Sequence, residues 1–114
     1  MGDKMHYNPK IVLAFWRDCR LPTAKTEFQF HPSRKWRFDF AFAVPRLAIE
    51  VQGGIWTQGR HSRGSGLVKE HEKLNAAAVV GWRILYCTPQ QVQTLQFART
   101  IKAALATDET RIEH

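Results

Sequence analysis

The sequence predicts an α/β fold in which a mixed central sheet is flanked by helices. Three observations lead to this prediction. An Asn-Pro pair opens a helical pattern near the start of the chain, three segments with strand periodicity follow over residues 26–53, and two further helical patterns enclose a strand. We therefore expect the order α-β-β-β-α-β-α in a single domain spanning residues 1–114.

The first helix and the first strand are marked by local signals. Asn8 and Pro9 are typical of the cap and the first position of a helix, which we expect over about residues 9–19. The segment "TEFQFH" alternates, with Phe28 and Phe30 on one face, and predicts a half-buried strand. The following "HPSRK" has the composition of a turn.

The next two strands alternate more strictly and predict a meander. In the second strand, one face carries Trp36, Phe38, Phe40 and Phe42, and the other Arg37, Asp39, Ala41 and Ala43. In the third strand, one face carries Leu47, Ile49 and Val51, and the other Ala48, Glu50 and Gln52. Each strand thus has an apolar face and a second face on which the carboxylates lie.

The second half of the chain predicts a loop, a helix, a strand and a last helix. The segment "GGIWTQGRHSRGSG" lacks periodicity and is long for a connector, which favours a functional loop. "LVKEHEKLNAAAVVG" predicts a helix that ends at Gly81, with a core face of Leu67, His71, Leu74, Ala77 and Ala78. "WRILYC" predicts a strand, and the capping box "TPQQ" opens a helix whose inner residues are Val92, Leu95, Ala98 and Ile101.

The charge of the chain indicates a polyanionic partner. Seventeen Lys and Arg residues against ten Asp and Glu residues give a net charge of +7, which favours nucleic acid over a merely soluble basic protein. No apolar run approaches the length of a membrane span, and the N-terminus lacks a secretory pattern. We expect a cytoplasmic protein whose two cysteines are reduced.

Asp39, Glu50 and Gln52 project from one side of the sheet if the second and third strands pair. Two carboxylates that converge there, near a cationic loop, cannot both ionise cheaply alone, and Mg²⁺ is the usual solution. Such an ion would lower the pKa of a bound water for attack on phosphorus. The structural alternative is a buried ion pair of the acids with Arg37 or Lys73.

The segments "FDF", "AIEVQGG", "GRHSRG" and "EKLNAAAVVGW" resemble the PD-(D/E)xK, or restriction-endonuclease-like, nuclease superfamily. The resemblance spans about residues 27–87 and is closest to a small phage and bacterial branch similar to very-short-patch-repair-type and domain-of-unknown-function endonucleases. It implies a restriction-endonuclease-like core and a Mg²⁺-dependent DNA endonuclease in which Mn²⁺ substitutes. It also implies a bacterial host cell, with a phage gene as one source.

The resemblance assigns Asp39 and Glu50 as metal ligands and Glu27 as a third acid, against a plain exposed carboxylate. Gln52 stands where the superfamily usually carries lysine, and a glutamine can orient water but supplies no charge. Lys73 is the candidate replacement. The alternatives are an enzyme that relies on the metal alone and a site that is catalytically weak. The other functions that we consider are a catalytically weak or inactive nucleic-acid-binding module of the same fold and a subunit of a larger DNA-processing complex.

Nucleic-acid contacts are expected from the loop and from a second basic cluster. The expected contacts are Arg34, Lys35, Arg37, Trp56, Arg60, His61, Arg63 and Lys69. His61 also suits a general acid or base, and a phosphate-binding or structural role is the alternative. Because few residues lie outside the core, we expect specificity to come from a homodimer or a larger partner.

Overall fold

The computed structural model of the protein describes residues 7–53 and 65–112, which form a four-stranded mixed sheet and three helices. The elements follow in the predicted order: α1 Pro9–Asp18, β1 Lys25–Gln29, β2 Arg37–Phe42, β3 Leu47–Val51, α2 Ser65–Val79, β4 Arg83–Cys87 and α3 Leu95–Ile112. The strands lie side by side in the order β1-β2-β3-β4. β1, β2 and β3 are antiparallel neighbours, as the meander predicts, and β4 adds parallel to β3.

Helix α1 begins as the sequence predicts. The Asn8 side chain accepts a hydrogen bond of 2.9 Å from the Lys10 backbone, and Pro9 occupies the first turn. Val12 and Trp16 are its buried residues, and the indole of Trp16 donates to the Val92 carbonyl at 3.1 Å. This bond joins α1 to the segment that leads into α3.

The sheet is covered on both faces. On one face, α1 and α3 pack over the sheet through Val12, Trp16, Phe40, Phe42, Leu47, Ile49, Val51, Val92, Phe97, Ala98 and Ile101. On the other face, Ala77 of α2 and Trp82 pack with Phe38, Ala41 and Ala48. Every residue of β3 is buried, and its two predicted faces are confirmed, because Leu47, Ile49 and Val51 pack beneath α1 and α3 whereas Ala48 packs on the α2 side.

The predicted alternation of β2 is wrong at one position. Phe40 packs beneath α1 and α3, whereas Phe38 packs on the α2 side, although the two residues should share a face. Glu27 and Asp39 lie between the paired positions Thr26–Phe40 and Phe28–Phe38, and Glu27 has a φ of 48°. The pleat is thus interrupted between these two pairs, where the left-handed Glu27 lies, and the register of the pairing is the same on both sides of the interruption.

Helix α2 ends as predicted but presents a different face. Gly81 has a φ of 89°, and the bonds from Gly81 N to Ala78 O and from Trp82 N to Ala77 O close the helix end. Leu67, His71 and Ala78, expected in the core, are exposed. Ala77 is buried as predicted, and Lys73, one turn earlier, lies on the same inner face. The small Ala77 packs against Ala41 and Ala48 of the sheet. Lys73 compensates the buried charge of Glu50.

The last helix starts later than predicted. Thr88 and Gln91 do form the reciprocal bonds of a capping box, at 3.0 and 3.2 Å, but they enclose only a turn. Thr94 caps α3, because its hydroxyl accepts from Phe97 N at 3.2 Å. Leu95 is consequently exposed, and Phe97 takes the core position that Leu95 was expected to fill. Among the described helices, none combines the length and apolarity needed to cross a membrane.

Candidate active site

Asp39 and Glu50 lie together where β2 and β3 stop pairing through their backbones. The paired positions run from Phe42–Leu47 to Phe40–Ile49, and the two acids occupy the next position on each strand. Asp39 N donates to Glu50 Oε2 at 3.1 Å, and Val51 N donates to Asp39 Oδ2 at 2.7 Å. Each carboxylate therefore satisfies a backbone amide at the strand end, which explains how both acids are buried.

Helix α2 brings Lys73 to this pair. Lys73 Nζ lies 2.9 Å from Glu50 Oε1, and the side chains are 12% and 3% exposed, so this is a buried ion pair. The ammonium also lies 5.6 Å from the centre of the Phe38 ring. The contact is compatible with both hypotheses from the sequence, in which Lys73 either replaces the lysine absent at Gln52 or forms a structural ion pair with the acids.

Gln52 and Glu27 lie on either side of the pair. Gln52 follows β3, is half-buried, and donates from its backbone to Cys87 O at 2.7 Å. Glu27 occupies the position opposite Asp39 on β1, and its side chain is exposed. The ammonium that contacts the Glu50 carboxylate belongs to Lys73 of α2 and does not come from the position of Gln52.

The donor set of the pair fits a hard divalent cation in part. Mg²⁺ is commonly held by one or two carboxylates and completes its shell with water and phosphate oxygens. Asp39 and Glu50 supply two carboxylates, and each of them also accepts a hydrogen bond from a backbone amide of the neighbouring strand. Within residues 7–53 and 65–112, no group of three or more His, Cys, Asp and Glu residues is arranged to hold a metal ion.

The basic residues expected to contact nucleic acid are exposed where the structure describes them. Arg34, Lys35, Arg37 and Lys69 are all exposed. Arg34 is the most constrained, because its guanidinium lies 3.9 Å from the centre of the Trp36 ring and 3.5 Å from Glu72 of α2. Trp56, Arg60, His61 and Arg63 lie outside the described residues.

Comparison of the chain with models of protein families, with curated proteins and with solved structures finds no match.

Two tyrosines that the sequence analysis did not single out lie near the acids. Burial, followed by the charges of Asp39 and Glu27, raises the pKa of the Tyr7 hydroxyl, and the Tyr7 ring packs 6.1 Å from that of Phe40. Tyr86 stands beside Glu50 in the parallel pairing of β3 and β4. In the sequence, these tyrosines are marked only by a polar hydroxyl on an otherwise apolar side chain. The position of Tyr86 beside Glu50 depends on the register of a parallel strand pair, which does not follow from local sequence.

Cys87 completes the surroundings of the acids on the α1 and α3 side of the sheet. It lies at the end of β4, beside Val51, and is 3% exposed. Burial, followed by the charge of Asp39, raises the pKa of its thiol from 9.0 to about 12. The thiol is accordingly protonated at neutral pH and acts as a small apolar core group.

Proposed function

We propose that the protein is a metal-dependent DNA endonuclease of the restriction-endonuclease-like type. The observation that carries the proposal is the cluster of Asp39, Glu50 and Lys73, in which two carboxylates and an ammonium converge at one end of the sheet. Oxygen ligands and a cationic donor are the groups that phosphodiester hydrolysis uses. The net charge of +7 supports a polyanionic substrate.

The proposed mechanism gives each side chain one task. Asp39 and Glu50 would hold Mg²⁺ or Mn²⁺, which when bound supplies positive charge at the phosphate and lowers the pKa of a bound water. Lys73, which bonds the carboxylate oxygen of Glu50 that does not accept from Asp39 N, would supply a second positive charge for the phosphate oxygens. Gln52 can orient a water through its amide but cannot add charge.

A second candidate is a nucleic-acid-binding module that keeps this fold without cutting. The observation that favours it is the 2.9 Å ion pair, since Lys73 already neutralises Glu50 and leaves the pair less dependent on a metal ion. Gln52 in place of lysine favours the same candidate. Under this reading, the wild type binds DNA with a steep dependence on salt and never cuts it.

Plasmid nicking in Mg²⁺ or Mn²⁺ separates the two candidates. Asp39→Asn and Glu50→Gln keep an acceptor oxygen for the backbone amides while removing the charge, and because Glu50→Gln also breaks the ion pair with Lys73, nicking is compared only after circular dichroism verifies that each variant is folded. We expect each to lower the nicking rate at least about 100-fold. Asp18→Asn, at the exposed end of α1, is the matched control and keeps the wild-type rate. Undiminished nicking by both site variants would exclude this metal site.

A further inference from the structure

Tyr86 is an exposed aromatic residue beside the buried acid pair. It is the β4 partner of Glu50, and neighbouring residues in a parallel pair project from the same face about 5 Å apart. Its neighbours Leu85 and Cys87 pack on the α1 and α3 side, so Tyr86 lies on the α2 side, where Lys73 also lies. Glu50 is 2% exposed, whereas Tyr86 is 47% exposed.

The hydroxyl of Tyr86 is a hydrogen-bond donor among acceptors. The pKa of Tyr86 is raised by burial and then by the charges of Glu50 and Glu70, which places both carboxylates within electrostatic reach of the phenol. Among the described residues, no hydrogen bond engages this hydroxyl, while the nearby Lys73 ammonium is bonded to Glu50. A neutral donor is thus available at the rim, next to a site proposed to hold a phosphodiester.

We propose that the Tyr86 hydroxyl donates a hydrogen bond to a non-bridging phosphate oxygen of the nucleic-acid strand held at Asp39 and Glu50. Phosphate oxygens are acceptors only, so they need donors where the protein otherwise presents carboxylates. A phenol meets this need without adding a charge that would compete with Lys73 for Glu50. The inference rests on the proposed function, because it takes the acid pair as the place where the strand lies.

The first test is a binding measurement that does not depend on cutting. Fluorescence anisotropy with a short labelled DNA duplex and with its single strands, in EDTA and in Ca²⁺, gives Kd for wild type and Tyr86→Phe, and a denaturing gel verifies that the DNA is uncut. We expect Tyr86→Phe to raise Kd about tenfold, the effect of losing one hydrogen bond to a charged group. Thr100→Val, which removes an exposed hydroxyl on α3, is the control and keeps the wild-type Kd.

Neutral methylphosphonate groups then locate the contact. Each phosphate in the binding strand is replaced in turn, and wild type is expected to lose affinity at several positions. In Tyr86→Phe, one of these positions is expected to lose its effect, because the donor that it served is gone. An unchanged profile together with an unchanged Kd for Tyr86→Phe overturns the proposal.

Tyr86→Ala distinguishes a phosphate contact from base stacking. If the hydroxyl makes the contact, the Phe and Ala variants bind DNA equally weakly. If Tyr86→Phe binds like wild type and only Tyr86→Ala binds weakly, the ring stacks on a base and the phosphate contact is wrong. Failure of the proposed function has a separate signature, since the wild type then binds DNA without nicking it, or nicks it equally well with Asp39→Asn and Glu50→Gln.

Discussion

Lys73 is the residue on which the two candidate functions diverge most. Its ammonium is paired with Glu50 at 2.9 Å, and both side chains are largely withdrawn from water. In a binding module, this pair only neutralises a buried carboxylate. In a nuclease, the same ammonium faces the phosphate as well, and Lys69, exposed one turn earlier on α2, serves only as a surface phosphate contact.

We therefore expect Lys73 to affect the rate of nicking and Lys69 to affect the affinity for DNA. Lys73→Ala should abolish nicking while DNA affinity stays within about threefold, because a buried lysine releases few counterions. Lys69→Ala should weaken DNA binding and reduce the salt dependence of the affinity. DNA that is fully bound by an excess of this variant should still be cut. Anisotropy titrations at several salt concentrations, alongside single-turnover nicking, measure both effects. An equal loss of affinity in Lys73→Ala would make it a phosphate contact.

Helix α2 is the element that assembles the cluster. Ala77 is fully buried against the layer that contains Ala41 and Ala48, and these small side chains allow the helix to lie close to the sheet. One turn before Ala77, Lys73 reaches Glu50. The distance of the helix from the sheet therefore determines how closely Lys73 approaches Glu50.

A larger side chain at Ala77 should disturb both stability and the site. Ala77→Val overpacks a closed layer, and we expect it to lower the free energy of unfolding by about 1–3 kcal/mol. It should also reduce the nicking that depends on Lys73. Ala78→Val makes the same chemical change on the exposed face of the same helix, where the cost is only the helix propensity of valine, below about 0.7 kcal/mol. Urea unfolding checks both values, and equal losses would contradict close packing at Ala77.

What the sequence could predict at this scale depends on how local the signal is. The order of the elements, the cap at Asn8 and the stop at Gly81 follow from neighbouring residues, and they are confirmed. The face of α2 and the switch between Phe38 and Phe40 depend on tertiary contacts, so periodicity alone predicted them wrongly. Asp39, Glu50 and Lys73 were identifiable by residue type, whereas Tyr86 needed the register of β4.

For the whole molecule, the titration of buried groups sets the limit of stability at high pH. The pKa of Cys87 rises from 9.0 to about 12 on folding, and that of Tyr7 rises above its value of 10.0. Both groups are neutral when protonated, so between these values the unfolded chain loses the proton first. The contribution of these two groups to the free energy of unfolding is fully present below about pH 9. It is lost as the pH rises through the pKa values of the folded state.

We expect the free energy of unfolding to fall between about pH 9 and 12. The slope of this fall against pH should approach the value for a difference of one bound proton, which is the proton of Cys87. Urea unfolding at a series of pH values measures this slope. Cys87→Ala should lower stability at neutral pH, because it leaves a small cavity, but it should flatten the decline above pH 9. Cys19→Ala retains Cys87 and is the control. An unchanged slope in Cys87→Ala would contradict the assignment.

The reciprocal bonds at the end of β2 and β3 also bear on how this chain changes over generations. Asp39 and Glu50 each accept a hydrogen bond from a backbone amide of the other strand. A descendant that no longer needs the catalytic activity would therefore still lose folding stability if it replaced either acid. Gln52 follows β3, and within residues 7–53 and 65–112 it is joined to the sheet by its backbone, which donates to Cys87 O. We expect activity in descendants to disappear first through substitutions at positions such as Gln52, while the two carboxylates persist as scaffold.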